Sequence, residues 1–175
     1  LIGSTYEVSP GNPRPCMSSA ELLDLQSRGW EIGSHSATHA DFTSITIEQA
    51  RDEFSRSKST LEGLGISVDS FAYPYGSFNS NTVETGTEYY KRQRSTYDSI
   101  TSALYMRDYS PGIPLVGTMQ PTSNEAAYAA IDRAIETDSV TVLLYHGLMP
   151  DGNLATTGYS NLHDIVNYIA TKQQS

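Results

Sequence analysis

Gly33-Ser34-His35-Ser36-Ala37-Thr38-His39-Ala40-Asp41 is the stretch on which the fold and the chemistry of this chain turn. Two histidines four residues apart lie on one face of a helical turn, within reach of a single point. Ser36, Ala37 and Thr38 between them are small or hydroxylic and leave room above it. Upstream, Trp30-Glu31-Ile32-Gly33 reads as a short strand, so His35 falls just past a strand's C-terminal end. Ligands and metals collect at such ends in α/β folds. A capped turn with two solvated histidines is written in the same letters, and the rest of the chain has to decide.

Working outward, Ser18-Ser19-Ala20-Glu21 is a capping box, and the helix it opens stops at Arg28-Gly29. Thr46-Ile47-Glu48-Gln49 is a second box. Its helix carries Ile47, Ala50, Phe54, Leu61 and Leu64 at helical spacing and ends at Gly65. Asp69 to Tyr73 reads as a strand broken by Pro74, with Tyr75-Gly76-Ser77-Phe78-Asn79 as the loop behind it. A short helix from about Asn81 and a strand near Arg92 to Thr96 follow.

Leu115 to Met119 is a candidate strand. Thr122-Ser123-Asn124-Glu125 caps a helix with Ala127, Ala130, Ile131, Ala134 and Ile135 inward. Val140 to Tyr145 is the clearest strand, ended by His146-Gly147, and a last helix carries Leu162, Ile165, Val166, Ile169 and Ala170. Gly3 to Pro15 reads as a loop, and no hairpin signal separates any two strands. The alternation predicts a βα repeat, a parallel sheet or barrel with helices outside.

The 175 residues are long enough for one domain with a real core, and residues 1–175 are read as one. Net charge is −9 and the lysines are three (Lys58, Lys91, Lys172), which argues against nucleic acid or an anionic membrane as partner. No apolar run approaches the roughly 20 residues of a membrane span, and no signal peptide is expected within these residues. The single cysteine, Cys16, allows no internal disulfide and no thiolate zinc site. Tyrosine is abundant, at 12 residues, which suits a secreted protein that handles sugars.

Three strand ends carry reactive groups: His35 and His39, then Pro74-Tyr75-Gly76, then His146. Parallel strands open all their C-terminal ends on one side, so the three sets are expected to converge. Leu144 and His146, two apart on one strand, face the same way. Each piece has a plain alternative: a strand-ending histidine bonded to a carbonyl, a proline turn, solvated loop carboxylates at Asp41 and Asp151. Those alternatives do not explain why all three sets sit at the same kind of strand end.

Gly-Ser-His-Ser-x-x-His, Phe-Ala-Tyr-Pro-Tyr-Gly and Leu-Leu-Tyr-His, in this order, resemble the polysaccharide deacetylases, the NodB-homology group or carbohydrate esterase family 4. The likeness runs from near residue 1 to about residue 172. It implies a distorted (β/α) barrel and a metal-dependent hydrolase that removes acetyl groups from a polysaccharide, an N-acetylglucosamine polymer or acetylxylan. It implies His35 and His39 as ligands of a divalent metal, zinc before cobalt or nickel. Tyr75 would supply an oxyanion-hole N–H, and Tyr73 and Pro74 would contact substrate beside it. Leu144 would line the acetyl pocket and His146 would act as general acid. An extracellular or cell-envelope location goes with such a substrate.

The chemistry suits these roles. Cleaving an acetamide or acetate ester needs a polarised carbonyl, an activated water and a proton for the leaving group, and zinc on neutral imidazoles serves the first two. The family's first motif, an Asp-Asp pair that supplies a third ligand and the general base, belongs before Leu1 and is not among these letters. The expectation is therefore an incomplete barrel, without its first and last strands, from a chain truncated at both ends. Asp41 or Asp151 could stand in as ligand. Alternatively the chain keeps the fold as a catalytically inactive carbohydrate-binding or scaffold module, or acts on a non-sugar amide. Ala72 and Gly147 also depart from the residues common at those places, arginine and aspartate.

Overall fold

The computed structural model describes residues 5–7, 13–96, 115–119, 121–145, 147–149 and 157–173. They fall into two compact units, Leu1–Arg94 and Ser95–Ser175.

The first unit opens with β1 (Thr5–Glu7) and β2 (Pro13–Pro15), paired antiparallel with Tyr6 opposite Arg14. This pair corrects the expectation of a plain loop without a hairpin. Next comes α1 (Ser19–Ser27), whose capping box joins the Ser18 hydroxyl to the Glu21 N–H and the Glu21 carboxylate to the Ser18 N–H. The helix α2 (Ile47–Gly63) begins with the same device, Thr46 with Gln49. Gly29 and Gly65, at φ 90° and 84°, end the two helices in the left-handed region that glycine enters without steric cost. Gln26 clips the helices together, donating to the Gly65 carbonyl and accepting from the Ser67 N–H.

After α2 come β3 (Ser70–Ala72), a tight turn over Pro74–Gly76, α3 (Ser80–Gly86) and β4 (Arg92–Arg94). Strands β3 and β4 pair in parallel, with Phe71 opposite Gln93. Trp30 to Gly33 form no full strand. The segment's backbone pairs with β3 at a parallel bridge between Ser34 and Phe71, where Ser34 donates to the Ser70 carbonyl and Ala72 donates back to Ser34, and the Ser70 hydroxyl donates to Glu31.

An aromatic cluster fills this unit. Phe42, Phe54, Phe71, Tyr73 and Tyr90 are buried, and most of their contacts are edge-to-face at 4.8–6.2 Å between ring centroids. That is the arrangement favoured by ring quadrupoles. Ala50, Leu61, Ile66 and Val68 close the cluster.

In the second unit β5 (Leu115–Met119) pairs in parallel with β6 (Val140–Leu143), joined by α4 (Asn124–Glu136), whose N-cap is Ser123. The two-residue strands β7 (Leu148–Met149) and β8 (Thr157–Gly158) are also parallel, and α5 (Tyr159–Lys172) follows. Ala127, Ile131 and Ile165 form its core, with Tyr128 stacked on Tyr168 at 4.1 Å. Ile135, Val166 and Ile169 are exposed, against expectation. The packed stripe on α4 and α5 is narrower than the apolar periodicity allows.

Candidate active site

The histidine loop is not helical. Ser36 and His39 have φ of 68° and 62°, and the backbone beyond the Ser34 bridge runs as an irregular bend. The reason lies in where its amides go. Ala37 N–H and Thr38 N–H both donate to Glu53 Oε2 at 2.8 Å, and His39 N–H donates to the Ser36 hydroxyl at 2.8 Å. Three successive amides bonded to side-chain oxygens have none left for the carbonyls of a helical ladder. The Thr38 hydroxyl adds a third bond to the carboxylate, at Glu53 Oε1 and 2.7 Å.

The bend still brings the imidazoles together, with ring centroids 4.8 Å apart and planes at 80°. Two imidazoles bonded to one tetrahedral zinc ion have centroids roughly 5 Å apart. His35 Nδ1 lies 2.7 Å from the Ala72 carbonyl, which can only accept, so the proton is on Nδ1 and the ring lone pair on Nε2. A backbone carbonyl that fixes the tautomer in this way is the usual outer partner of a metal-ligating histidine. The pair thus fits a divalent cation in spacing and in donor chemistry.

The His39 ring also makes a T-shaped contact with Tyr75, the ring centroids 4.6 Å apart. Tyr75 is 64% exposed and sits at φ 57°, ψ 4° between buried Pro74 and buried Gly76. Among the described residues its N–H takes no acceptor. Ser36, His39 and Tyr75 are all non-glycine residues in the left-handed region, each at a cost of order 1 kcal/mol or more. Strain of this kind is characteristic of positions that neighbouring contacts hold for use.

The other candidates separate. Tyr73, expected to touch substrate, is 2% exposed and lies in the aromatic core. Its hydroxyl donates to the Thr82 carbonyl and to Gln93 Oε1. Pro74 is buried beside it. Phe71 and Tyr73 are two apart on an extended segment and share its inward face. Asp41 spends its carboxylate on an Asx turn, accepting from the Thr43 amide and hydroxyl at 2.9 and 2.6 Å. Those bonds, the hydroxyl's first, hold its pKa below the usual aspartate value. Among the described residues no third His, Cys, Asp or Glu joins the pair, so Asp41 is not a stand-in ligand. Leu144 lies partly buried one residue past β6, in the second unit. His146 and Asp151 lie outside the described residues.

The sequence reading missed Glu53, only 6% exposed. Its signal was present: Ala50, Glu53, Phe54, Ser57 and Leu61 form the buried face of α2, and a carboxylate on such a stripe needs donors.

The sequence pattern of the polysaccharide deacetylases matches residues 5–92, half of the chain. The chain belongs to the polysaccharide deacetylase family. Among solved structures, the family 4 carbohydrate esterase from Streptomyces lividans, determined in complex with acetate, is 18% identical over 88% of this chain and 68% of its own, with a TM-score of 0.59. A family 4 pseudoenzyme from Bacillus anthracis is 17% identical over 90% of this chain and 47% of its own, at 0.55. A polysaccharide deacetylase from Bacillus cereus reaches 30% identity over 49% of this chain, at 0.45. This chain spans 27% of that relative's length. No curated protein matches the sequence. The first two likenesses identify the fold as that of the family 4 carbohydrate esterases, here mixed α/β with the described strands paired two by two. No helix among the described residues is long and apolar enough to cross a membrane.

Proposed function

We propose that this polysaccharide deacetylase family member is a metal-dependent hydrolase that releases acetate from an acetylated polysaccharide, either an N-acetylglucosamine polymer or acetylxylan. The observation that carries the proposal is the convergence of His35, His39 and Tyr75, with rings 4.8 and 4.6 Å apart in succession. His35 and His39 hold the divalent ion, zinc by preference, with cobalt or nickel also suited to imidazole. When bound, that ion supplies a Lewis acid for the acetyl carbonyl and lowers the pKa of water to roughly 7. The Ala72 carbonyl keeps the His35 lone pair on Nε2. The Tyr75 N–H donates to the oxyanion as the carbonyl carbon becomes tetrahedral, a contribution of about 3 kcal/mol. Family resemblance assigns Leu144 to the acetyl methyl and His146 to proton delivery onto the departing amine or alkoxide. Among the described residues no third His, Cys, Asp or Glu joins the two histidines. Substrates of this class place the protein outside the cell or in its envelope.

The test is acetate release from N-acetylglucosamine oligomers and from acetylated xylan, with Zn²⁺ or Co²⁺ supplied. Release that a chelator abolishes and metal restores is expected. Since the loop is held by Glu53 and Ala72, the chelated protein should keep its far-UV circular dichroism. No release from either polymer under any metal overturns the proposal.

One observation favours a second reading: no acidic side chain among the described residues completes the histidine pair. A sugar-binding module without catalysis would then bind oligosaccharide while purifying free of metal. Stoichiometric zinc counts against it.

A further inference from the structure

We infer that Glu53 is a positioning residue, whose carboxylate sets the His35–His39 loop so that both imidazoles address one point. It rests on the deacetylase reading only for its purpose, not for its geometry. Glu53 reaches the loop from α2, a separate element, and stands 14 residues beyond His39 in sequence. It accepts three hydrogen bonds, from Ala37 N–H, Thr38 N–H and the Thr38 hydroxyl, all at 2.7–2.8 Å. The two amides belong to residues between the histidines. Fixing them fixes the peptide planes on either side of the bend, where Ser36 and His39 take up strained backbone.

A nearly buried carboxylate is expensive unless its lone pairs are met, and an alanine at this position of the helix would avoid that cost. Local residues offer the bend no substitute. The one bond made within it, His39 N–H to the Ser36 hydroxyl, leaves Ala37 and Thr38 without acceptors. Removing Glu53 therefore strands two amides and frees two residues whose φ is unfavourable. Glutamine of the same length retains an oxygen for both amides and a donor for the Thr38 hydroxyl. Geometry and charge are therefore separable.

The experiment compares the wild type with Glu53→Ala, Glu53→Gln and Ser57→Ala. Ser57 is one turn along α2, equally buried, and bonds to Tyr90 rather than to the loop. The first readout is NMR on the metal-free protein: the His35–His39 ring cross-peak and hydrogen-exchange protection of the Ala37 and Thr38 amides. Both are expected to vanish in Glu53→Ala, persist in Glu53→Gln and persist in Ser57→Ala. The second is Zn²⁺ affinity by calorimetry, expected to fall roughly 10–100-fold in Glu53→Ala and by less than about threefold in the other two. Intact ring cross-peaks and protection in Glu53→Ala overturn the inference. So does a loss in Ser57→Ala as large as in Glu53→Ala, which would mark general destabilisation. Should the Glu53→Ala protein not fold, retention in Glu53→Gln against loss in Glu53→Leu gives the same decision. A wild type that binds no zinc while the NMR pattern holds sinks the deacetylase reading and leaves the loop anchor standing.

Discussion

A single carbonyl and a single carboxylate decide what the two histidines can do. Ala72 O orients His35, and Glu53 shapes the bend that carries His39 beside it. Replacing either histidine with alanine is expected to lower Zn²⁺ affinity by at least a hundredfold while leaving the urea midpoint nearly unchanged, since His35 is exposed and neither ring lies in the core. Tyr75→Ala separates ring from backbone. It retains the N–H, so acetate release should fall by less than about tenfold, far short of the roughly 10²–10³ lost when an oxyanion donor is removed. A loss of that size in Tyr75→Ala would move the role from the amide to the ring. The histidine pair and the Pro-Tyr-Gly turn were legible because their spacing is local. The burial of Tyr73 beside Phe71 was not legible, because which face of a short extended segment turns inward is decided by the elements packed on it.

At the scale of elements, α3 and β4 are joined through one buried glutamine. Gln93 accepts from the Tyr73 hydroxyl and donates to the Val83 carbonyl at 3.1 Å. Gly86 lets it lie there: a Cβ would overlap its Oε1 and stand 2.8 Å from its Cδ. Gly86→Ala is therefore expected to cost about 1–3 kcal/mol despite alanine's better helix propensity. Tyr73→Phe, which leaves Gln93 and the Thr82 carbonyl short of a donor, should cost about 1–3 kcal/mol. Because both act on Gln93, the double variant should lose less than the sum, and urea unfolding of the four proteins measures the coupling. Capping boxes at Ser18 and Thr46 and the glycine stops behind their helices were readable because each device is made by near neighbours in the chain. Strand extent was not. Trp30 to Gly33 kept one bridge to β3, since strand length depends on partners that local letters do not name.

For the molecule as a whole, charge sets the working range of pH. The Ser18 amide at Glu21, the Thr43 hydroxyl at Asp41, the Lys91 ammonium at Asp69 and the Lys172 ammonium at Asp132 each hold a carboxylate below its ordinary pKa. A depressed folded-state pKa stabilises above the unfolded value, about 4, and that stability disappears as pH falls through the folded value. Tyr90 acts at the other limit. Burial raises its pKa, so its contribution is complete below about 10 and is lost above it. Urea midpoints should therefore be level from about pH 5 to 9 and fall on both sides, and a midpoint that rises from about pH 5 to pH 3 contradicts this.

Sequence alone determined the βα alternation, the helix limits and the family's histidine and tyrosine motifs, because periodicity, caps and motif spacing are properties of neighbouring letters. Tertiary structure alone decided that the histidines meet across a strained bend rather than along a helix. The atoms that bend them, Glu53 on α2 and the carbonyl of Ala72 on β3, lie 14 and 33 residues beyond His39 and reach the loop only when the chain is folded.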